Sequence, residues 1–266
     1  MISMRPSRVL RKMRDGQVAV CVALKIADAF VSEIAGQAGF DCIWIDTEHT
    51  ATTLREIENH IRAAKLYDTD LIVRVQRGSY SDLIHSLEMD ATGIMVPHLM
   101  SAAEARDIAR KTKFHPIGRR ALDGGNTDGA FCQIPVDAYL EQANSERFII
   151  VQIEDPEPLV EIDEIAQVEG IDMLFFGPGD FSHGIGVPGK FDDPRVIEAR
   201  ERVVEAARKH GKWAGTVGSP ANFEALANMG YQFINVGADV IGLVDYFKGL
   251  RRALGSVDAR DWNSFS

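Results

Sequence analysis

The stretch 148-FIIVQIEDPE-157 decides the fold. Five of its first six residues are apolar, Gln152 being the exception. That is the composition of a strand covered on both faces, not of one that alternates between core and solvent. The run then ends on Glu154 and Asp155, and Pro156, which has no N–H for a ladder, closes it. A second stretch, 173-MLFFGPGD-180, repeats the pattern and ends on Asp180. Doubly covered strands belong to parallel sheets, and such sheets gather their ligands at the C-terminal strand ends.

Runs of the same kind recur along the chain at 18–24, 42–46, 71–75, 93–97, 148–153, 173–177, 212–217 and 233–237, eight in all. Helical periodicity fills the gaps at 28–39, 53–66, 80–89, 101–112, 157–168, 194–210, 219–230 and 239–254. Ser101 and Glu104 form a capping-box pair, Gly39 and Gly211 stand just past helix ends, and Pro194 suits a first helical turn. Eight strands alternating with eight helices predict an α/β protein, a (β/α)8 TIM barrel, and the 266 residues fit one such domain. A doubly wound open sheet is the alternative; no G-x-G-x-x-G opens the first βα unit, which weakens a dinucleotide-binding reading. Residues 7–14 read as a short helix over one end, within an N-terminal segment 1–15. The Gly-, Arg- and Asp-rich segment 113–147 reads as a long loop covering the active site.

A net charge of −10 gives no footing for nucleic acid. No apolar run approaches the roughly 20 residues that span a bilayer. The basic N-terminus (Arg5, Arg8, Arg11, Lys12, Arg14) lacks the apolar stretch of a secretory signal. A mitochondrial presequence is disfavoured because Asp15-Gly16 ends the basic run at once and a strand follows. Three cysteines, Cys21, Cys42 and Cys132, with two inside apolar runs, suit a reduced, cytoplasmic chain.

The strand ends gather the chemistry. Glu154 and Asp180, on adjacent strands, supply two oxygen ligands, which suits Mg2+ or Mn2+ with water and substrate completing the shell. Each could instead only cap the following helix. Arg74, inside the apolar LIVRV, needs an anionic partner: either a barrel carboxylate, or a substrate carboxylate or developing oxyanion. His49, three residues after Asp46, is an acid–base candidate oriented by that carboxylate. Lys25 after strand one could form a Schiff base, though a solvated or ion-paired lysine is the better reading. His60, His85 and His210 fall within helical patterns and read as packing or surface residues.

At these residues the sequence resembles a known family. WIDTEH (44–49), Arg74, GIMVPHLMSAAEA (93–105), VQIED (151–155) and FFGPGDFSHGIGVPG (175–189) together are similar to the HpcH/HpaI aldolases, over about 16–250. These are metal-dependent class II pyruvate aldolases, such as 4-hydroxy-2-oxoheptanedioate aldolase and 2-dehydro-3-deoxyglucarate aldolase. The resemblance implies a carbon–carbon lyase that reversibly cleaves a 4-hydroxy-2-oxo acid to pyruvate, or hydroxypyruvate, and an aldehyde. It implies a divalent metal (Mg2+, Mn2+ or Co2+) on Glu154 and Asp180, and enolate stabilisation by Arg74. It further implies proton transfer through Asp46 and His49, an acid at Glu88, a polar group at Gln152, carboxylate binding by the peptide N–H groups of Gly179 and Asp180, and an arginine at Arg120. The family also implies a homo-oligomer, a hexamer, with helix 239–254 exchanged between subunits.

Three features depart from the family pattern, all expected on the aldehyde side of the pocket. They are the loop RRALDGGNTDGAFC (119–132), the absence of an aromatic near Val22–Lys25, and His183. Two rivals stand beside this reading. One is a CoA-thioester lyase of the malyl-CoA or citryl-CoA type, with Lys111, Lys113, Arg119 and Arg120 available for a nucleotide. The other is a non-catalytic barrel that binds a keto acid.

Overall fold

Every doubly apolar run becomes a parallel strand. The computed structural model describes residues 2–254. The strands are β1 (Ala19–Leu24), β2 (Cys42–Asp46), β3 (Asp70–Arg74), β4 (Gly93–Val96), β5 (Phe148–Ile153), β6 (Met173–Phe176), β7 (Trp213–Val217) and β8 (Phe233–Ala238). Each pairs in parallel with its sequence neighbour, and β8 returns to β1, so the sheet is a closed eight-stranded barrel. This is the expected (β/α)8 architecture.

Closure explains the missing alternation. Trp44, Ile72, Met95, Ile150, Met173 and Phe175 point into the barrel, while Ile43, Ile45, Val73, Ile94, Ile149, Val151 and Leu174 point out under the helices. Both faces of each strand are therefore dry. The helix α1 (Arg8–Arg14) closes the N-terminal end of the barrel by burying Val9, Leu10 and Met13 against the interior layer. The basic N-terminal run is spent on this closure. Arg5 pairs with Asp70 (2.6 Å), Arg8 and Lys12 with Asp41 (2.9 and 2.7 Å), Arg11 with Asp68 (2.5 Å) and Arg14 with Glu146 (3.1 Å).

The covering helices are α2 (Phe30–Gln37), α3 (Leu54–Lys65), α4 (Tyr80–Glu88) and α5 (Ala102–Thr112), then α6 (Val136–Glu146), α7 (Ile162–Ala166) and α8 (Pro178–Gly184), and α9 (Pro194–Lys209), α10 (Phe223–Met229) and α11 (Asp239–Ala253). Thr53 caps α3 through a full capping box with Glu56, and the Ser101 hydroxyl accepts from the Glu104 N–H at the start of α5. The helix expected at 157–168 divides into a 3-10 turn at Glu157–Glu161 and the short α7, because Pro158 brings no N–H to the first turn.

The segment 113–147 is not a plain loop and does not cover this barrel's own mouth. It leads from the end of α5 into the start of β5, so it lies at the N-terminal end, opposite the strand termini that carry Glu154. It also contains α6, whose buried Tyr139 and Ala143 pack with Met4, Phe114 and Ile134. Only two buried side chains mark that helix, too few for a periodic signal in the sequence.

The last helix, α11, buries none of its residues; Ile241, Tyr246 and Phe247 are among its exposed apolar side chains. Its first residue, Asp239, accepts from the backbone N–H groups of Lys25 (2.9 Å) and Ile26 (3.0 Å), which ties the helix to the end of β1. Among the described residues no helix is long and apolar enough to cross a membrane.

Candidate active site

The C-terminal strand ends open into a cavity of about 450 Å3, whose lining includes Trp44, Arg74, Gln152, Glu154, Gly179 and Asp180, together with Arg200, Ser219 and Asn222. A larger cavity of about 650 Å3 lies between α5 and α7, but no strand-end residue lines it.

Glu154 follows β5 directly and is almost fully buried. Its Oε1 accepts from the His98 backbone N–H and its Oε2 from Gln152 Nε2, both at 2.9 Å. Burial pushes its carboxyl up to about 7; the His98 N–H and charge oppose this, and the Asp180 charge adds to it. A buried acid in this condition accommodates a cation readily. Gly177 leaves the room for it: a Cβ there would lie 2.6 Å from Glu154 Oε2 and 2.7 Å from its Cβ. Gln152 Oε1 is buried and has no hydrogen-bond partner. Asp180 is not a strand residue. Strand β6 stops at Phe176, and Asp180 sits exposed in the first turn of α8, next to Gly179. The α8 N-cap, Gly177, offers no side-chain cap to the first-turn N–H groups. Among the described residues no three His, Cys, Asp or Glu side chains form a metal cluster. A hard divalent ion that keeps water and takes substrate oxygens needs only two protein carboxylates, so Glu154 and Asp180 fit it.

Arg74 ends β3 in register with Asp46, the last residue of β2. Its Nε and Nη2 donate to the Asp46 carboxylate at 3.0 and 2.7 Å, and its guanidinium stacks 5.0 Å from the centre of the Trp44 ring. Nη1 lies 3.1 Å from Glu48 Oε2. The ion pair with a barrel carboxylate is therefore present. Arg74 still lines the cavity, and only part of its five-donor fork is spent. Lys25 pairs with the same Asp46 carboxylate, which agrees with the ion-paired reading of that lysine. Burial alone would raise the Asp46 pKa; hydrogen bonds from Arg74 and Lys25 overcome it and hold the carboxyl well below the usual range.

These partners change the expected role of Asp46. Its carboxylate is taken by two cations and does not orient the His49 ring; only the His49 backbone N–H reaches it, at 3.4 Å. The ring is exposed and lies 3.6 Å from Glu48 instead. Glu88 and Arg120 are also displaced from expectation. Glu88 ends α4, where its carbonyl accepts from Asp128 N–H (3.3 Å). Arg120 is buried in an ion pair with Asp128 (2.8 Å), which also accepts from the Tyr139 hydroxyl (2.7 Å). Neither lines the mouth of its own barrel, and His183, exposed in α8, does not line it either.

Two residues gain importance. His98 takes a left-handed conformation (φ 49°), uncommon for a residue with a side chain, and its N–H there meets Glu154. Its Nδ1 pairs with Asp155 at 2.8 Å, and its Nε2 lies 3.7 Å from Glu48. Glu48 thus stands among Arg74, His49 and His98. Their position after β2 and β4 was visible in the sequence; their convergence was not. Of the four basic residues available to a nucleotide, Lys113 and Arg120 are buried in internal contacts.

A barrel mouth with two carboxylates and a buried arginine can hold a divalent ion beside an anionic substrate, and the comparisons give the chain its family. The HpcH/HpaI aldolase/citrate lyase family model matches residues 22–245. A 2-keto-3-deoxy-L-rhamnonate aldolase of Salmonella gallinarum is 30% identical over 230 residues, 86% of each chain. The crystal structure of an HpcH/HpaI aldolase from Desulfitobacterium hafniense superposes with a TM-score of 0.88 at 28% identity, covering 94% of this chain and 97% of that one. The citrate synthase SbnG superposes at 0.83, also 28% identical, covering 91% and 95%. The chain belongs to the HpcH/HpaI aldolase/citrate lyase family.

Proposed function

We propose that this enzyme is a divalent-metal-dependent aldolase that reversibly cleaves a 4-hydroxy-2-oxo acid to pyruvate, or hydroxypyruvate, and an aldehyde. The observation that carries the reading is the buried Glu154, its carboxyl pushed up to about 7, in one cavity with Asp180 and Arg74. Glu154 and Asp180 would hold Mg2+, Mn2+ or Co2+, which supplies Lewis acidity toward the carboxylate and keto oxygens of the oxo acid.

In cleavage the C4 hydroxyl loses its proton, the C3–C4 bond breaks, and its electron pair passes into the enolate of pyruvate as the aldehyde leaves. The Arg74 N–H groups not held by Asp46 stabilise the oxygen on which this charge develops. Asp46 keeps that guanidinium in place against Trp44. His49, at the rim beside Glu48, takes the hydroxyl proton through water and a proton returns to C3. The N–H groups of Gly179 and Asp180 receive the oxo-acid carboxylate, and Gln152 keeps Glu154 oriented. The exposed apolar face of α11 supports assembly into a homo-oligomer, a hexamer in which this helix packs on a neighbour. Glu88 and Arg120, paired with their own surroundings, take no part in this barrel's proton path.

The test is exchange of the pyruvate methyl protons with deuterium from solvent, which needs enolate formation but no aldehyde. Exchange that requires added Mn2+, and stops with EDTA or with Glu154→Gln, is the expected outcome. A protein that binds pyruvate without exchange is a non-catalytic barrel. Full exchange after exhaustive chelation, or borohydride trapping of pyruvate on Lys25, removes the metal from the reaction.

A further inference from the structure

The larger cavity, of about 650 Å3 between α5 and α7, has no part in the proposed chemistry. It lies at the end of the barrel away from Glu154. Its walls come from the second half of α5, the segment that follows that helix, and Val168 and Glu169, which lead into β6. Three exposed arginines line it: Arg106, Arg110 and Arg119. Among the described residues none of these side chains donates to an acceptor, and none has a carboxylate within ion-pair distance. Arg11, Arg14, Arg55, Arg62, Arg77 and Arg195 are exposed too, yet each meets a carboxylate within 3.2 Å.

The backbone brings the three together. Arg106 and Arg110 stand one turn apart on α5, and the Arg119 N–H donates to the Arg110 carbonyl (2.6 Å). Like charges at i and i+4 repel, so the cluster is unfavourable as it stands. Basic residues in a last helical turn ordinarily serve the free carbonyls there, which accounts for Arg110. It does not account for Arg106, a turn earlier, or for Arg119, outside the helix. Nearby acids are engaged elsewhere: Asp107 pairs with Lys111 (2.5 Å), Asp172 with Lys113 (2.8 Å), and Glu169 faces Lys212. Of the two acids in the lining, that leaves Glu164. The frame beneath is fixed. Gly118 is buried, and a Cβ there would lie 2.7 Å from the Ala109 carbonyl oxygen, so only glycine lets the segment lie against α5. Ala109, Ile117 and Val168 give the lining an apolar part, and the volume suits a small organic molecule.

We propose that this cavity binds a small polyanion with adjacent phosphate groups, a diphosphate either free or carried on a nucleoside, through Arg106, Arg110 and Arg119. Guanidinium forks pair with phosphate oxygens two at a time, and adjacent phosphates offer an edge to more than one fork. The site is apart from the barrel mouth, so its ligand is neither the oxo acid nor the aldehyde, and the proposal does not depend on the aldolase reading. Nor is it the nucleotide site of a CoA-thioester lyase: of Lys111, Lys113, Arg119 and Arg120, only Arg119 lines this cavity.

The experiment is calorimetric titration of the full chain with pyrophosphate, ADP, AMP and adenosine. EDTA is present so that nothing binds through a metal at the mouth, and the ionic strength is about 0.15 M, where loose surface attraction is screened. Pyrophosphate or ADP should bind once per chain, about 10-fold or more tighter than AMP, and adenosine should not bind. Tighter binding of ADP than of pyrophosphate assigns a nucleoside-borne diphosphate; the reverse assigns a free one. Arg110→Gln and Arg119→Gln should each weaken binding about 10-fold or more, and Arg110→Lys should weaken it less. Glu164→Gln should strengthen it. Arg208→Gln, at an exposed arginine outside the cavity, should leave it unchanged. All these positions are exposed, so the variants should melt as wild type does. No binding, AMP or adenosine binding as tightly as ADP, or an equal loss in Arg208→Gln and Arg110→Gln overturns the proposal.

Discussion

Replacing Gly177 with alanine asks whether Glu154 stands where a cation needs it. Gly177 has φ −98° and ψ 88°, outside the left-handed region, so a side chain adds no backbone strain there. The conflict is spatial. An added Cβ would lie 2.7 Å from the Glu154 Cβ, against the 3.4 Å at which ordinary contact begins, so the two must separate by about 0.7 Å, the difference. Turning the carboxylate relieves its oxygen, but the Cβ moves only if the end of β5 moves. That end is held by the Glu154 hydrogen bonds to His98 and Gln152. Overpacking of this kind costs about 1–3 kcal/mol, or roughly 2–10 °C in Tm for a chain of this length. Displacement of a supporting group typically weakens metal binding about 10- to 100-fold. Calorimetric melting of the metal-free protein and Mn2+ titration followed by electron paramagnetic resonance measure the two effects. Wild-type Tm and wild-type Mn2+ affinity in Gly177→Ala would refute the placement of Glu154.

Arg74→Ala should slow pyruvate exchange by about 10²-fold or more, because it removes a donor aimed at developing charge, and Arg74→Lys should rescue little; exchange at the wild-type rate would reduce Arg74 to a structural ion pair. Asp46→Asn leaves Arg74 and Lys25 without their shared carboxylate and should cost about 3–5 kcal/mol of stability, read by urea unfolding; a loss below that of an ordinary surface change would contradict the buried pair. His49→Ala should cost about 10²–10⁴-fold in cleavage, with His98→Ala chiefly weakening metal binding through Glu154; the reverse pattern in kcat and Mn2+ affinity would transfer the proton relay to His98. Glu154, with its carboxyl at about 7 in the fold against an ordinary 4.5, keeps a proton there that the unfolded chain has lost. The metal-free protein should therefore lose stability as pH rises from 4.5 toward 7. Glu154→Gln should flatten that fall in Tm, and a Tm that rises through the window in wild type alone would be inconsistent with the raised carboxyl.

Eight strands were legible because the signal is local: a strand dry on both faces must be apolar at consecutive positions, whatever its neighbours are. For the same reason Glu154 and Asp180 could be placed at the mouth, since a barrel brings all C-terminal strand ends together. Which side chains meet there was not legible. Arg74 and Asp46 are 28 residues apart, and their pairing follows from the β2–β3 register, not from any nearby motif. That pairing turned the expected Asp46–His49 dyad into an arginine clamp with Lys25 as its third member. Arg120 and Glu88 looked like site residues, but a segment joining α5 to β5 emerges at the end of the barrel away from β5's C-terminus, and Arg120 found Asp128 there. Arg200 sat unremarked in a charged helical run, where every arginine resembles a solvated one. Only the packing of α9 over β6 and β7 shows that this side chain reaches the cavity, where its Nε has no hydrogen-bond partner among the described residues. Local composition determines secondary structure and strand-end positions because they depend on neighbours in the chain; pairing, burial and vacancy depend on neighbours in space, which the closed barrel alone supplies.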